Sequence, residues 1–317
     1  SDYFSPLKDT NLDTDIYILD SGKPGAVALL IGGTHPNELA SQVSAQILVE
    51  RSSVKEGKLI VLPYANRSAL SVQDTRKRIV QQHAVETPSG QRFLFYGDRR
   101  TDTKDQGVRD PFSYTNPVGY RLENGKESRN LNRTYPGDRD GTPTEQLAYA
   151  IIAMIKQEGV DFCLDMHEAR TPEKKPHDDD DYGSARKRLA YTLVSHPRGI
   201  EVGAYALLAL EDETGISMKL DESNPKYRGL SHLEIGKATQ CLSFLSESPN
   251  PGQDKWRFQP DVINDEKYPL GHRVGMHLRL FKHLADSFAD ESGKKLVIEG
   301  LPEYSDLMSR KIGTFLN

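Results

Sequence analysis

The chain has 317 residues, 36% hydrophobic and 27% charged, with a formal net charge of −5. That suits one large globular domain or two modest ones, with ample length to bury a core. The acidic balance argues against a nucleic-acid footprint, and no apolar run approaches membrane-spanning length, so a soluble protein with neither partner is expected. Cys163 and Cys241 both lie in apolar, strand-like runs and read as buried free thiols. The first residues are Ser1-Asp2, consistent with a removed leader or with trimming. Compartment, cytoplasmic or exported, and oligomeric state stay open.

In chain order, Ser1 to Asp15 is polar and reads as irregular. Ile16 to Leu19 and Ala26 to Ile31 read as strands across a Ser21-Gly22-Lys23-Pro24-Gly25 turn. Gly32-Gly33-Thr34-His35-Pro36-Asn37-Glu38 then leads into Leu39 to Arg51, which has helical spacing. The two glycines permit a tight turn, and Pro36 suits the opening of the helix. Lys58 to Leu62 reads as a strand and Asn66 to His83 as a polar helix. From Val85 to Ser128 no period is sustained. This reads as a long irregular insertion within a single domain, 1–317, and its Phe93, Phe95, Tyr96, Arg99 and Arg100 suit a lid over a cleft.

Regularity returns with a helix over Pro143 to Gln157 and a strand over Asp161 to Met166 that ends on His167. The acidic run Asp178 to Asp181, beside His177, reads as a solvated loop. Leu189 to Val194 reads as a strand, Ile200 to Glu213 as a helix, Gln240 to Leu245 as a buried strand ending near Glu247, and Gly271 to Phe288 as a helix. His272 and His283 share a face of that last helix about three turns apart, roughly 16 Å, too far for one metal. With His277 they read as surface or partly packed residues. Alternating strands and helices predict an α/β fold with a mixed, mostly parallel sheet flanked by helices, whose ligands gather at the carboxyl ends of strands.

His35 and Glu38 are both zinc-ligand types at a strand-to-helix turn, three positions apart, so they can face one point. A catalytic zinc needs a third protein ligand and an open position, and His167 at a strand end is the candidate. Glu247 at another strand end is the candidate general base. Asp165, two residues before His167 on the same side of its strand, can reach the free N–H of a ligand histidine. Asn132-Arg133, just before Tyr135-Pro136-Gly137, supplies an amide donor and a guanidinium that can grip a carboxylate in two parallel bonds.

The ordered set His35-x-x-Glu38, Asn132-Arg133, His167 and Glu247 resembles the zinc carboxypeptidase superfamily. Its Gly-Gly-x-His-x-x-Glu turn and Leu-Asn-Arg-x-Tyr motif are most like the succinylglutamate desuccinylase/aspartoacylase branch, over most of Ile18 to Pro249. The resemblance implies a three-layer α/β fold and one zinc ion on His35, Glu38 and His167. It also implies substrate contact by Asn132 and Arg133, and Glu247 as base. The chain departs from the pattern at Asn130, where the family often has Asp, and at Pro36, where many members have Gly. The further substrate arginine of that branch has two candidates here, Arg121 and Arg129. Tyr227 stands about where carboxypeptidases place a mobile tyrosine. A terminal β-rich domain is not evident. The expected activity is therefore zinc-dependent hydrolysis of an amide in a carboxylate-bearing small molecule or peptide, by an N-acyl amino acid deacylase, a desuccinylase-like enzyme or a metallocarboxypeptidase. A non-catalytic binding protein on the same scaffold is the reading of another class.

Overall fold

The computed structural model describes residues 1–73, 79–173 and 189–317. His177 and the Asp178–Asp181 run lie outside the described residues. The main sheet contains β1 (Tyr17–Asp20), β2 (Val27–Ile31), β3 (Lys58–Leu62), β4 (Phe162–Arg170), β5 (Thr192–Ser195), β6 (Lys219–Glu222) and β7 (Leu242–Asn250). Their order across the sheet is β1-β3-β2-β4-β7-β5-β6. The central four, β3, β2, β4 and β7, run parallel, while β1 pairs antiparallel with β3 and β5 antiparallel with β7. This is the mixed, mostly parallel sheet that the alternating pattern predicts.

Both faces of the sheet are covered, which is why β2 and β3 are apolar almost throughout. Helices α1 (Leu39–Arg51), α3 (Ile200–Thr214) and α5 (Leu270–Ser292) pack on one face. There Leu30, Leu164, Met166 and Phe244 meet Val43, Ile47, Val202, Leu278 and Phe281. Helices α2 (Pro143–Glu158) and α4 (Ser231–Ala238) cover the other, where Leu29, Ile31, Ile60 and Cys163 meet Leu147, Ile151 and Ile235. Adjacent strand residues belong to opposite layers, as the two-residue period requires. Helix α2 opens on a capping box, the Glu145 carboxylate accepting from the Thr142 N–H at 2.7 Å. Cys163 and Cys241 are buried free thiols.

Three expectations need correction. Asn66 to His83 is not one helix. Asn66 caps a single turn, Arg67–Leu70, and Gln82–Thr87 is a strand paired with Gly90–Phe95 in a hairpin. The stretch has no apolar stripe to bury as a helix, whereas Val85 and Leu94 alternate inward and join the core. The 85–128 segment is accordingly less irregular than its composition suggests, and also holds a helical turn at Thr103–Gln106 and a ribbon, Tyr114–Thr115 with Arg121–Leu122. Finally, two of the α5 histidines are not surface residues: His272 and His277 are buried, with His277 Nδ1 2.8 Å from Ser246 Oγ and His272 between the hydroxyls of Tyr191 and Tyr304. Each is held by neutral partners, as an uncharged buried imidazole requires.

Candidate metal centre

The three strands that carry the predicted chemistry, β2, β4 and β7, are neighbours in the sheet. After β2 the chain turns on Gly32 and Gly33. A Cβ on Gly32 would lie 2.5 Å from the Ser41 carbonyl, and Gly33 takes a φ of +65°, so the chain can double back onto α1 only through glycine. The Glu38 N–H donates to the His35 carbonyl at 2.9 Å, making His35 to Glu38 a turn with Pro36 at its second position. Pro36 therefore shapes this turn rather than the helix opening, and α1 begins only at Leu39.

That turn and the end of β4 bring His35, Glu38 and His167 together, with ligand atoms all within 4.8 Å of one another and all three residues buried. His35 Nδ1 lies 2.9 Å from Glu38 Oε1, His167 Nδ1 lies 2.8 Å from Glu38 Oε2, and the two Nδ1 atoms are 3.1 Å apart. The opposite ring nitrogens face acceptors. His167 Nε2 is 2.9 Å from Asp165 Oδ2, and His35 Nε2 is 2.9 Å from Asn130 Oδ1. Asp165 is fixed in turn by Thr34 Oγ1 at 2.8 Å and Ser231 Oγ at 2.6 Å.

This donor set fits a zinc ion. Asn130 Oδ1 places the His35 proton on Nε2 and frees its Nδ1, while His167 Nε2 stands at ion-pair distance from Asp165 without an aligned hydrogen bond; two imidazole Nδ1 atoms then meet beside a carboxylate, an arrangement that suits a cation. In the metal-free centre the surrounding carboxylates favour positive charge at His167. Burial disfavours a charged His167, but the Asp165 and Glu38 carboxylates outweigh it and hold its pKa well above the usual range. Burial and the Arg99 guanidinium lower His35 to about 4. Burial alone would raise Glu38, but the two imidazoles hold it well below the usual carboxylate range.

Glu247 pairs in register with His167 across the parallel β4–β7 ladder, so both side chains leave the sheet on the same face. Its Oε2 is buried with no hydrogen-bond partner. Burial and the Glu38 carboxylate push its pKa up to about 8. Arg133 closes the one-turn helix Leu131–Arg133, which Asn130 caps by accepting from the Asn132 N–H at 3.1 Å. Burial and Arg99 lower Arg133 to about 10, which leaves it a cation at neutral pH. Asn132 Oδ1 accepts from the Ser231 N–H at 2.8 Å, so its NH2 end is the donor it has to offer.

The other sequence candidates lie elsewhere. Arg129 is consumed by a two-point pair with Asp110, at 2.6 and 3.0 Å, and by the Thr101 carbonyl. Arg121 is exposed on the short ribbon beside Glu123. Tyr227 is exposed on the loop 223–230, where the neighbouring Gly229, rather than the tyrosine, packs on the Arg133 carbonyl. The arginine that does reach the centre is Arg99, whose Nη2 is 3.4 Å from His35 Nδ1 and 3.9 Å from Glu38 Oε1. Arg100 and Glu127 stand beside it as an ion pair. Phe93 and Phe95, expected over a cleft, are instead exposed on the hairpin, whose Arg92 pairs with Glu50 in the last turn of α1, at the other end of that helix from His35. The Tyr96–Arg100 end of that stretch approaches the centre, with Tyr96 buried and the Gly97 N–H donating to the Pro36 carbonyl at 3.3 Å.

No family model matches the chain, and no curated protein matches it in sequence. Solved structures do. The tripeptide-bound cell shape determinant Csd4 from Helicobacter pylori gives a TM-score of 0.56 at 12% identity, covering 94% of this chain and 59% of that one. The mDAP-bound form of the same protein, a D,L-carboxypeptidase, gives 0.52 at 13%, covering 90% and 56%. A succinylglutamate desuccinylase/aspartoacylase from Rhodobacter sphaeroides gives 0.47 at 18%, covering 86% and 58%. The chain thus spans less than two thirds of the length of these proteins. The chain shares the fold of Csd4, a D,L-carboxypeptidase. Among the described residues no helix is long and apolar enough to cross a membrane.

Proposed function

We propose that this chain is a zinc-dependent hydrolase that cleaves an amide bond in a substrate bearing a free carboxylate. The observation that carries the reading is the convergence of His35 Nδ1, His167 Nδ1 and the Glu38 carboxylate, with His35 Nε2 on Asn130 and His167 Nε2 beside the Asp165 carboxylate. Zinc held by these three residues would lower the pKa of a water and polarise the scissile carbonyl. Glu247, with one unpartnered oxygen on the same face as His167, takes the proton from the attacking water and returns it to the leaving amine. Arg133 and the Asn132 amide anchor the substrate carboxylate. Arg99, rather than Arg121 or Arg129, is placed to donate to the developing oxyanion. A binding protein on the same scaffold would have no use for a proton acceptor beside an intact ligand set.

Two substrate forms fit, an N-acyl amino acid and a peptide with a free C-terminus. The peptide form is supported by the tripeptide-bound neighbour. Purified protein reconstituted with zinc should hold one equivalent and hydrolyse members of a panel containing N-succinyl and N-acetyl amino acids and short peptides. Chelation should abolish turnover, and C-terminally amidated analogues should be poor substrates. Failure to bind zinc, or binding without hydrolysis anywhere in the panel, would overturn the proposal.

A further inference from the structure

His35 and His167 are both held from behind, but by different chemistry. The partner of His167 is a carboxylate, Asp165, and that of His35 is a neutral amide, Asn130. The orientation of that amide is set by its surroundings: Oδ1 accepts from the Asn132 N–H at 3.1 Å, and Nδ2 donates to Glu127 Oε2 at 2.7 Å. Glu127 is the carboxylate at the end of this line. It is largely enclosed, paired with Arg100, and has Arg133 Nε 3.8 Å from the same oxygen that Asn130 contacts. The run therefore reads His35 Nε2–H to Asn130 Oδ1, then Asn130 Nδ2–H to Glu127, then Arg100 and Arg133. The two donors from His35 to Glu127 point the same way, so each bond polarises the next.

We infer that Glu127, acting through Asn130, is the positioning residue that supplies His35 with its negative partner and ties the metal ligand to the substrate-binding arginine. The inference rests on the zinc reading above. A carboxylate behind a ligand histidine fixes its tautomer and raises its basicity, and losing such a partner costs about 10–100-fold in metal affinity. Here the charge stands one residue further back, where Arg133 shares it.

The test is a charge relocation measured as zinc affinity, by competition with a chromophoric chelator, with thermal unfolding of the metal-free proteins as the folding control. Glu127→Gln removes the charge and keeps the shape, and zinc binding should weaken by about tenfold. Asn130→Asp alone sets two carboxylates against each other and should not strengthen binding. Glu127→Gln combined with Asn130→Asp keeps the net charge and exchanges the places of the amide and the acid. The introduced carboxylate then accepts directly from His35, and the introduced amide donates to that carboxylate. The double variant should return zinc affinity to the wild-type level or above. A Glu127→Gln protein with unchanged affinity, or a double variant that binds no better than Glu127→Gln, would overturn the inference while leaving the hydrolase reading intact. A wild-type protein that binds no zinc would overturn both.

Discussion

Glu247 is distinguished from Glu38 and Asp165 by having a buried oxygen with no hydrogen-bond partner among the described residues. Glu38 and Asp165 are saturated by histidines, hydroxyls and backbone. An acid that is enclosed, unpaired and pushed up to about 8 is suited to taking and returning a proton near neutral pH. Glu247→Gln should retain zinc and lose turnover by about 10²-fold or more. In the wild type, kcat/KM should rise with pH along a limb between the ordinary 4.5 and about 8, because a nearby cation pulls the carboxyl down from the upper value. Zinc loss in Glu247→Gln would make it a ligand, and unchanged turnover would remove it from the reaction. His35, Glu38, His167 and Glu247 were legible in the sequence as candidates because each stands at or near the end of an apolar run or in a Gly-Gly turn. Arg99 was not. It lies in a stretch without periodicity and is brought in only by tertiary packing. Arg129 lies beside the Asn-Arg motif, yet that adjacency says nothing of Asp110, which takes up its donors.

At the scale of the elements, the centre is braced from behind by Glu168 and Arg273, the residue after His167 in β4 and a residue in the first turn of α5. Both side chains are fully buried, and Arg273 Nη1 donates to Glu168 Oε1 at 2.6 Å. The same carboxylate accepts from the Ala40 N–H in α1 at 3.0 Å and from Asn250 Nδ2 in β7 at 3.1 Å. One acid thus joins the helix after Glu38, the strand of His167, the strand of Glu247 and α5. Arg273→Met removes one partner and leaves a buried carboxylate unpaired, which should cost about 3–5 kcal/mol of unfolding free energy. Glu168→Leu with Arg273→Met should be less destabilised than Arg273→Met alone, and a larger loss in the pair would refute this account. The main-sheet strands other than β6 and the long helices were readable from their apolar runs and periods, α1 to the residue and α3 and α5 to within a few. The pair was not, because a Glu after a ligand and an Arg in an amphipathic helix both read as ordinary surface chemistry.

For the whole molecule, several histidines lie where a charge is costly. Burial lowers His272 to about 4 and His277 and His232 to about 3. A depressed folded value means the unfolded chain binds the extra protons, so the stability these groups contribute is present above about 6.5 and is lost as pH falls through the folded values. Each such proton contributes a slope of about 1.4 kcal/mol per pH unit. Unfolding free energy measured by denaturant titration should decline from pH 7 to pH 4. His272→Gln should flatten that decline by up to one proton, and an unchanged slope would show that His272 does not carry it.

The in-register pairing of Glu247 with His167 means that no loop sets the separation of their backbones. It is the interstrand repeat of a parallel sheet, about 4.8 Å, a constant of the peptide backbone. Such a gauge cannot be tuned by small steps. Residues on either side of Glu247 project to the opposite layer, so slippage of β7 by one position would exchange the acid for the hydroxyl of Ser246 or Ser248. The backbone spacing of the two residues is therefore quantised: it changes by whole residues of register or not at all.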